Sequence, residues 1–173
     1  MKIKTITSSI LEINILDTSL TKTYPGETKL PKFLKVSAEV LGHFLKKELK
    51  ISRFELSLTL CGNKKIKSLN NDYRNKNKVT DVLSFPVHEN LRSDGVIPGL
   101  QEVELGDIFI CKDVALKQSR EFKVSYCAEI IHLLVHGVLH LIGYDHEISL
   151  QEEKIMFQLE EKLVKSISLK LKG

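Results

Sequence analysis

The amino-acid sequence predicts an α+β fold in which a small mixed four-stranded sheet packs against about five helices. The first observation behind this prediction is that four short segments have the alternating or continuous apolar pattern of strands. The second is that segments with helical periodicity separate some of these strands. The third is that the chain after the last strand is helical throughout, so strands and helices do not alternate regularly.

In the N-terminal half, residues 10–16 alternate apolar and polar positions and predict the first strand. After a turn region, residues 31–49 place leucines at helical spacing behind Pro31, which suits a helix start. Residues 54–60 alternate again and predict the second strand. A weak helix is predicted over residues 64–73, and the polar stretch RNKNK that follows must be exposed.

In the C-terminal half, residues 82–85 predict a short buried strand that stops at Pro86. Residues 87–104 form a loop of a length that is unusual in a small domain unless it is functional or disordered. Residues 105–111, LGDIFIC, predict the last strand. Three helices are then predicted, at residues 114–120, 125–142 and 150–167.

Length and composition favour one domain. With 173 residues, 42% of them hydrophobic, the chain can build one core and is too short for two ordinary domains, so residues 1–173 are predicted to form a single domain. Cys61, Cys111 and Cys127 lie apart in apolar surroundings and are expected to be buried free thiols. Without a recognisable signal pattern or membrane-length apolar segment, a cytoplasmic protein is expected.

Charge is distributed unevenly along the chain. The net charge of +4 is compatible with a polyanionic partner but excludes little by itself. Residues 46–78 contain ten basic side chains and three carboxylates, whereas residues 81–107 contain six carboxylates and one arginine. The middle of the chain is therefore electrically polarised.

The most informative segment is HLLVHGVLHLIGYDHE, residues 132–147, which contains four of the six histidines. On a helix, His136 and His140 lie one turn apart on the same face, so both imidazoles can reach one metal ion. Gly143 can end the helix and turn the chain so that His146 joins them. Three protein ligands leave a fourth position open, as in catalytic zinc sites. We therefore predict one Zn²⁺ per chain at these three histidines, in preference to histidines that only pack in a core.

The spacing of these histidines equals that of the metzincin proteases, H-E-x-x-H-x-x-G-x-x-H, with one difference. Gly137 stands where a protease has its general-base glutamate, so the metal geometry is kept without the peptidase chemistry. His132 lies a further helical turn from the metal and is expected to be a hydrogen-bonded histidine rather than a fourth ligand. Asp145 could orient a ligand or cap a turn.

The segment HGVLHLIGYDH resembles the signature of the YbeY family, metal-dependent bacterial endoribonucleases of ribosomal RNA maturation. Two further segments are similar to this family in the same order along the chain: LNNDYRNKNKVTDVLSFP at residues 69–86 and LGDIFIC at residues 105–111. The resemblance spans roughly residues 55–160. It departs from the family between Arg74 and Thr80, where lysines and asparagines replace a usual acidic residue.

The resemblance implies an α+β fold with a small mixed sheet, zinc at His136, His140 and His146, and a role in cleavage for Arg74 beside these histidines. The implied activity is zinc-dependent, single-strand-specific endoribonucleolytic cleavage in rRNA processing, notably at the 3′ end of small-subunit rRNA, and in ribosome quality control. Expected partners are single-stranded RNA, rRNA and the small ribosomal subunit, with no DNA and no membrane. The lysines between residues 64 and 78 are expected to follow the RNA backbone.

From the residues alone, Arg74 suits cleavage because a guanidinium can hold a phosphate through two hydrogen bonds, although most arginines are solvated surface charges. Asp81 and Ser84 are expected to cap and anchor a strand rather than to act. No general base is recognisable, and the attacking group could be water or the RNA 2′-hydroxyl. Two alternatives stay open: a ribosome assembly factor whose metal only stabilises the fold, and a zinc peptidase, which the glycine at 137 opposes.

Overall fold

The computed structural model describes residues 2–18, 23–89, 91–93 and 100–173. The described strands are β1 (Lys2–Thr7), β2 (Leu11–Asp17), β3 (Arg53–Cys61), β4 (Val82–Pro86) and β5 (Glu102–Cys111). The described helices are α1 (Leu30–Leu49), α2 (Asn63–Arg74), α3 (Lys112–Glu121), α4 (Tyr126–Leu141) and α5 (Leu150–Lys172). The strands form one sheet in the order β1-β2-β3-β5-β4, in which β2, β3 and β5 are parallel and both edge strands are antiparallel to their neighbours.

The α+β prediction is confirmed, but the sheet has five strands rather than the predicted four. The missed strand is β1, whose sequence KIKTIT has two apolar residues and no complete alternation. β1 pairs with β2 alone, and an edge strand needs less apolar surface than a central strand. Its register places Ile6 opposite Ile13 of β2, which is the pairing that joins it to the core.

The predicted loop at residues 87–104 is only partly described, because residues 90 and 94–99 lie outside the described ranges. Its last three residues, 102–104, belong to β5, which therefore starts earlier than predicted. The cause is the sequence EVE, where Val103 is buried between Glu102 and Glu104 and continues the strand alternation. The strand lies beside β3 over its whole length, including a register shift after Glu55.

The main core lies between one face of the sheet and the helices α1 and α4, with α5 packed across both of them. Helix α4 approaches β5 closely because Gly137 faces the sheet: a Cβ at this residue would lie 2.9 Å from Ile108 Cδ1. On the opposite face, α2 packs over a smaller cluster that contains Cys61, Ile66 and Cys111. All three cysteines are buried and free, as predicted.

The described helices were compared with the length and apolar content that a membrane-spanning helix needs. No helix in the described part of the chain is long and apolar enough to cross a membrane by itself. Among the described helices, only α3 and α4 taken together have the length and hydropathy of a membrane span, and the chain bends by 112° between them. Residues of α4 such as Val135, Val138 and Leu139 are fully buried against the sheet and the neighbouring helices.

Gly106 of β5 provides a test of how β4 is held at the edge of the sheet. Its φ is +131°, and a Cβ would lie 2.1 Å from the backbone oxygen of Phe85 in β4. We expect Gly106→Ala to lower the free energy of unfolding by about 2–4 kcal/mol, because backbone strain and a backbone clash act together. Gly26→Ala is the control, since Gly26 has a φ of +72° with nothing within 4 Å of the added carbon. Equal losses in urea unfolding would contradict the clash.

Candidate metal centre

Helix α4 and the turn that follows it bring the three predicted ligands together. His136 and His140 lie one helical turn apart, and their Nε2 atoms are 3.2 Å from each other. The ring of His146 lies 5.3 Å from that of His136 and 5.0 Å from that of His140, measured between centroids. One ring nitrogen of each histidine lies within 4.8 Å of the other two. The three imidazoles therefore face a common point.

The turn after α4 depends on Gly143, as the sequence predicts. Gly143 has a φ of +100° and donates its N–H to the carbonyl of His140. The next residue, Tyr144, donates its N–H to the carbonyl of Leu139 and is itself buried. Two hydrogen bonds back into the last helical turn are a common way of ending a helix at a left-handed residue. The turn reverses the chain and so carries His146 back towards α4.

Tyr144 and Asp145 hold this turn in place. The Tyr144 hydroxyl donates to Glu48 of α1 at 2.9 Å, and the Arg92 guanidinium lies 4.2 Å from the centre of its ring. Asp145 accepts a hydrogen bond from the backbone N–H of Glu147 at 2.8 Å. Of the two roles considered for Asp145, the observed contact is the one that caps a turn.

The donor set is compatible with zinc. A tetrahedral ion with nitrogen ligands at ~2.0–2.1 Å requires neighbouring nitrogens to be about 3.3 Å apart, and His136 and His140 present Nε2 atoms at 3.2 Å. Burial, and then the neighbouring imidazoles of His136 and His146, lower the pKa of His140 to about 4. A neutral imidazole has the free lone pair that a metal ion needs.

His132 lies one turn before His136 but faces carboxylates. Its Nε2 contacts a carboxylate oxygen of Glu160, and its Nδ1 lies 3.6 Å from Oε1 of Glu129. The carboxylates of Glu129 and Glu160 raise the pKa of His132 to about 10. From the sequence, His132 is expected to be held by hydrogen bonds rather than to bind the metal. These contacts agree with that expectation, since both ring nitrogens face acceptors.

Glu160 of α5 is the site residue that sequence reasoning missed. Its Oε2 lies 3.2 Å from Nδ1 of His136, and its other oxygen faces His132. Burial alone would raise the pKa of Glu160, but contacts with His132 and His136 outweigh it and hold the pKa at about 2. A signal was present: Glu160 falls on the stripe of Met156 and Leu163, the buried side of an otherwise exposed helix. A charged residue on such a stripe needs a partner.

The three histidines line a cleft of about 750 Å³, and Arg74 lies on the same cleft. Arg74 is exposed and ends α2, where Asn75 takes the left-handed conformation with a φ of 56°. The Asn70 side chain donates to the carbonyl of Lys78 at 2.8 Å and so fixes the loop that follows the helix. Among the described residues, Arg74 has no ion-pair partner, which leaves its guanidinium available to a ligand.

Asp81 and Ser84 belong to the part of the cleft formed by β4. Asp81 accepts hydrogen bonds from the backbone N–H of Val82 and from the side chain of Gln118, both at 2.8 Å. These contacts cap the strand and join it to α3, which is the structural role expected for Asp81. Ser84 also lines the cleft.

The charge on the cleft surface differs from the charge on the basic stretch. The described residues that line the cleft include seven carboxylates and one arginine, Arg74. Of the ten basic residues between residues 46 and 78, the other nine lie on the end of α1, on the start of β3, on α2 and in the loop after it. A bound cation would therefore be attracted to the cleft by its carboxylates, whereas a phosphate would need Arg74 and the positive charge of the metal.

The matches to known proteins agree with the resemblance found in the sequence. Residues 21–168 match the model of the family described as Endoribonuclease YbeY. A protein with this name from a Sulfurihydrogenibium species is 38% identical over 141 residues, covering 81% of this chain and 85% of the relative. Another from Persephonella marina is 42% identical over 137 residues, covering 79% of this chain and 82% of the relative.

A solved structure also matches. The solution structure of a Thermotoga maritima protein superposes with a TM-score of 0.59 at 29% identity and covers 92% of this chain and 91% of its own. The family match begins at residue 21 and so extends further towards the N-terminus than the motifs recognised in the sequence. The chain therefore belongs to the YbeY family of endoribonucleases.

Proposed function

We propose that this chain is a zinc-dependent endoribonuclease that cleaves single-stranded RNA during ribosomal RNA processing. Membership of the endoribonuclease family makes the chain a hydrolytic nuclease, which is the enzyme class expected from the sequence. The observation that carries the finer proposal is the placement of three imidazoles and the exposed Arg74 on one cleft. The proposed substrate is rRNA near the 3′ end of the small-subunit RNA, with the small ribosomal subunit as partner in maturation and quality control.

The proposed roles follow from the position of each side chain. His136, His140 and His146 would hold one zinc ion, which when bound supplies a Lewis acid for the scissile phosphate. Arg74 would contact the same phosphate from α2 and neutralise the charge that develops on its oxygens. Because seven carboxylates are among the described residues that line the cleft, an RNA phosphate would be held where these positive groups meet. We place this activity in a single domain, residues 1–173, in the cytoplasm.

A peptidase is disfavoured by the packing of α4. The glutamate of a metzincin would stand at Gly137, where a Cβ would already lie 2.9 Å from Ile108 Cδ1. A larger side chain at this residue would require Ile108 to shift. Gly137 faces Ile108 of the sheet and is not among the described residues that line the cleft, so the chain has no general base at the position that peptidase chemistry uses.

A ribosome assembly factor whose metal only stabilises the fold is the second candidate. The experiment that separates it from the enzyme measures cleavage of a single-stranded oligoribonucleotide by purified protein before and after chelation, with circular dichroism on the same samples. We expect cleavage to stop on chelation and to return with zinc while the folded signal persists. Loss of the folded signal on chelation, without cleavage beforehand, would support the scaffold.

The lysines of α2 give a prediction for RNA binding. Lys64, Lys65 and Lys67 lie on the helix that ends at Arg74, and all are exposed. We expect single-stranded RNA to bind more weakly as salt increases, since each phosphate contact releases counterions. Conversion of all three lysines to Glu should lower both the affinity and the slope of its salt dependence, measured by fluorescence anisotropy. The matched control is conversion of Lys46, Lys47 and Lys50 at the end of α1.

In the sequence these lysines formed one basic stretch with those of α1, but α1 and α2 pack on opposite faces of the sheet. The control variant is therefore expected to keep most of its affinity. If the two triple variants lost affinity equally, the RNA would follow overall charge rather than α2. If neither variant lost affinity, the basic stretch would not be the RNA surface.

A further inference from the structure

The carboxylate of Glu160 lies between two histidines of α4, and one of them is a candidate metal ligand. Its Oε2 lies 3.2 Å from Nδ1 of His136, and its Oε1 contacts Nε2 of His132. We propose that Glu160 is a positioning residue for the metal centre, which fixes the ring and the tautomer of His136. This inference rests on the proposed metal site, and it assigns a function to a residue on a different helix from the ligands.

The geometry gives the physical reason. A neutral imidazole carries one N–H and one lone pair, and the hydrogen bond made by one nitrogen decides which form the other takes. A carboxylate can only accept, so Nδ1 of His136 must be the donor towards Glu160. The lone pair is then on Nε2, the atom that faces Nε2 of His140 at 3.2 Å. Contacts of this kind keep metal-binding histidines oriented and raise their basicity.

Glu160 is itself restrained on several sides. Its side chain is 12% exposed, and its helix is anchored by Met156 and Leu163, which are buried one turn before and after it. His132 holds the second carboxylate oxygen and is held in turn by Glu129, whose side chain is 3% exposed. The chain of contacts therefore runs from the buried start of α4 through α5 to the metal ligand. A carboxylate so restrained cannot rotate away from His136 without losing both partners.

A purely structural role is the alternative, since Glu160 also joins α5 to α4. The two roles differ in what they change at the metal. A structural contact would alter the melting temperature, whereas a positioning contact would alter the geometry of the bound ion even in a folded protein. The affinity for zinc and the absorption spectrum of bound Co²⁺ report on the second role, because the visible bands of Co²⁺ depend on the arrangement of its ligands.

The experiment compares wild type, Glu160→Gln and Glu160→Ala, with Glu161→Gln as the matched control. Glu161 is the adjacent residue on α5 and is exposed, so its variant makes the same change in net charge away from the site. Zinc affinity is measured by competition with a chromophoric chelator, and Co²⁺ spectra and thermal melting are recorded on the same preparations. We expect both Glu160 variants to bind zinc ~10- to 100-fold more weakly and to show shifted Co²⁺ bands. Glu161→Gln should match wild type.

Three results would overturn the proposal. Zinc affinities within twofold of wild type in both Glu160 variants would show that His136 needs no positioning by this residue. Weaker binding with an unchanged Co²⁺ spectrum, and with the loss removed by added salt, would show that Glu160 acts only through its charge. Failure of wild type itself to bind zinc would remove the metal site together with this inference, so the two failures are distinguishable. Should Glu160→Ala melt below the assay temperature, the isosteric Gln variant still decides between these results.

Discussion

His136→Ala and His140→Ala are each expected to lose stoichiometric zinc binding, with a decrease in affinity of more than ~100-fold. The reason is that each variant removes a nitrogen from a set of three, and even the loss of a residue that only supports a ligand costs ~10- to 100-fold. The two remaining imidazoles cannot move to replace the missing nitrogen, because backbone hydrogen bonds at Gly143 fix the turn relative to the end of α4. The measurement is zinc content by elemental analysis, beside a competition titration.

His132→Ala is the control for the ligand set. His132 lies on the same face of α4 as the two ligands, but its ring nitrogens face Glu129 and Glu160. Its removal should weaken zinc binding much less than removal of a ligand, through the loosened Glu160. Equal losses in the three variants would show that the ligand set is wrong. Absence of zinc from wild type, with no stoichiometric uptake on addition, would contradict the site itself.

Zinc binding should also appear in the stability of the protein. A ligand that binds the folded state alone at 100 times its dissociation constant stabilises it by ~2.7 kcal/mol. The melting temperature of wild type should therefore rise when zinc is added, whereas those of the His136 and His140 variants should not. This comparison requires no substrate and is independent of cleavage.

Most of the fold and the three candidate ligands of the metal centre could be predicted from the sequence. Four strands, five helices and the cluster of three histidines follow from local patterns: apolar alternation, helical spacing, and a glycine at a helix end. Such patterns were sufficient because the residues involved are close in the chain. β1 was missed for the opposite reason. Its own sequence contains few apolar residues, and its place in the sheet depends on pairing with β2.

Glu160 and the arrangement of the basic residues depend on contacts between distant segments. Glu160 reaches His136 across 24 positions of the chain. Its place on the buried stripe of α5 indicates that it has a partner, but the sequence does not indicate that this partner lies on α4. Similarly, the basic stretch is continuous in sequence but divided by the sheet, with α1 on one face and α2 on the other. Summed charge along a segment carries no information about which side of a sheet each helix covers.

Arg74→Ala is expected to lower the rate of RNA cleavage by ~10²- to 10³-fold, the usual cost of removing one donor aimed at developing charge. Arg74 is the only basic side chain other than histidine among the described residues that line the cleft, so no neighbouring lysine can substitute for it. The fold should be unaffected, because Arg74 is exposed at the end of α2 and has no described ion-pair partner. Surface substitutions of this kind usually change the free energy of unfolding by about 0.5 kcal/mol or less.

Arg74→Lys should recover only part of the rate, since an ammonium group keeps the charge but cannot offer two parallel N–H donors to one phosphate. Lys47→Ala is the matched control: it removes one exposed positive charge from α1, outside the cleft and on the opposite face of the sheet from α2. Single-turnover cleavage of a single-stranded oligoribonucleotide is measured with zinc content and thermal melting for all four proteins. A wild-type rate in Arg74→Ala would exclude Arg74 from the mechanism. A lowered melting temperature or zinc content in that variant would assign Arg74 a structural role, because a residue that acts on the phosphate alone leaves both unchanged.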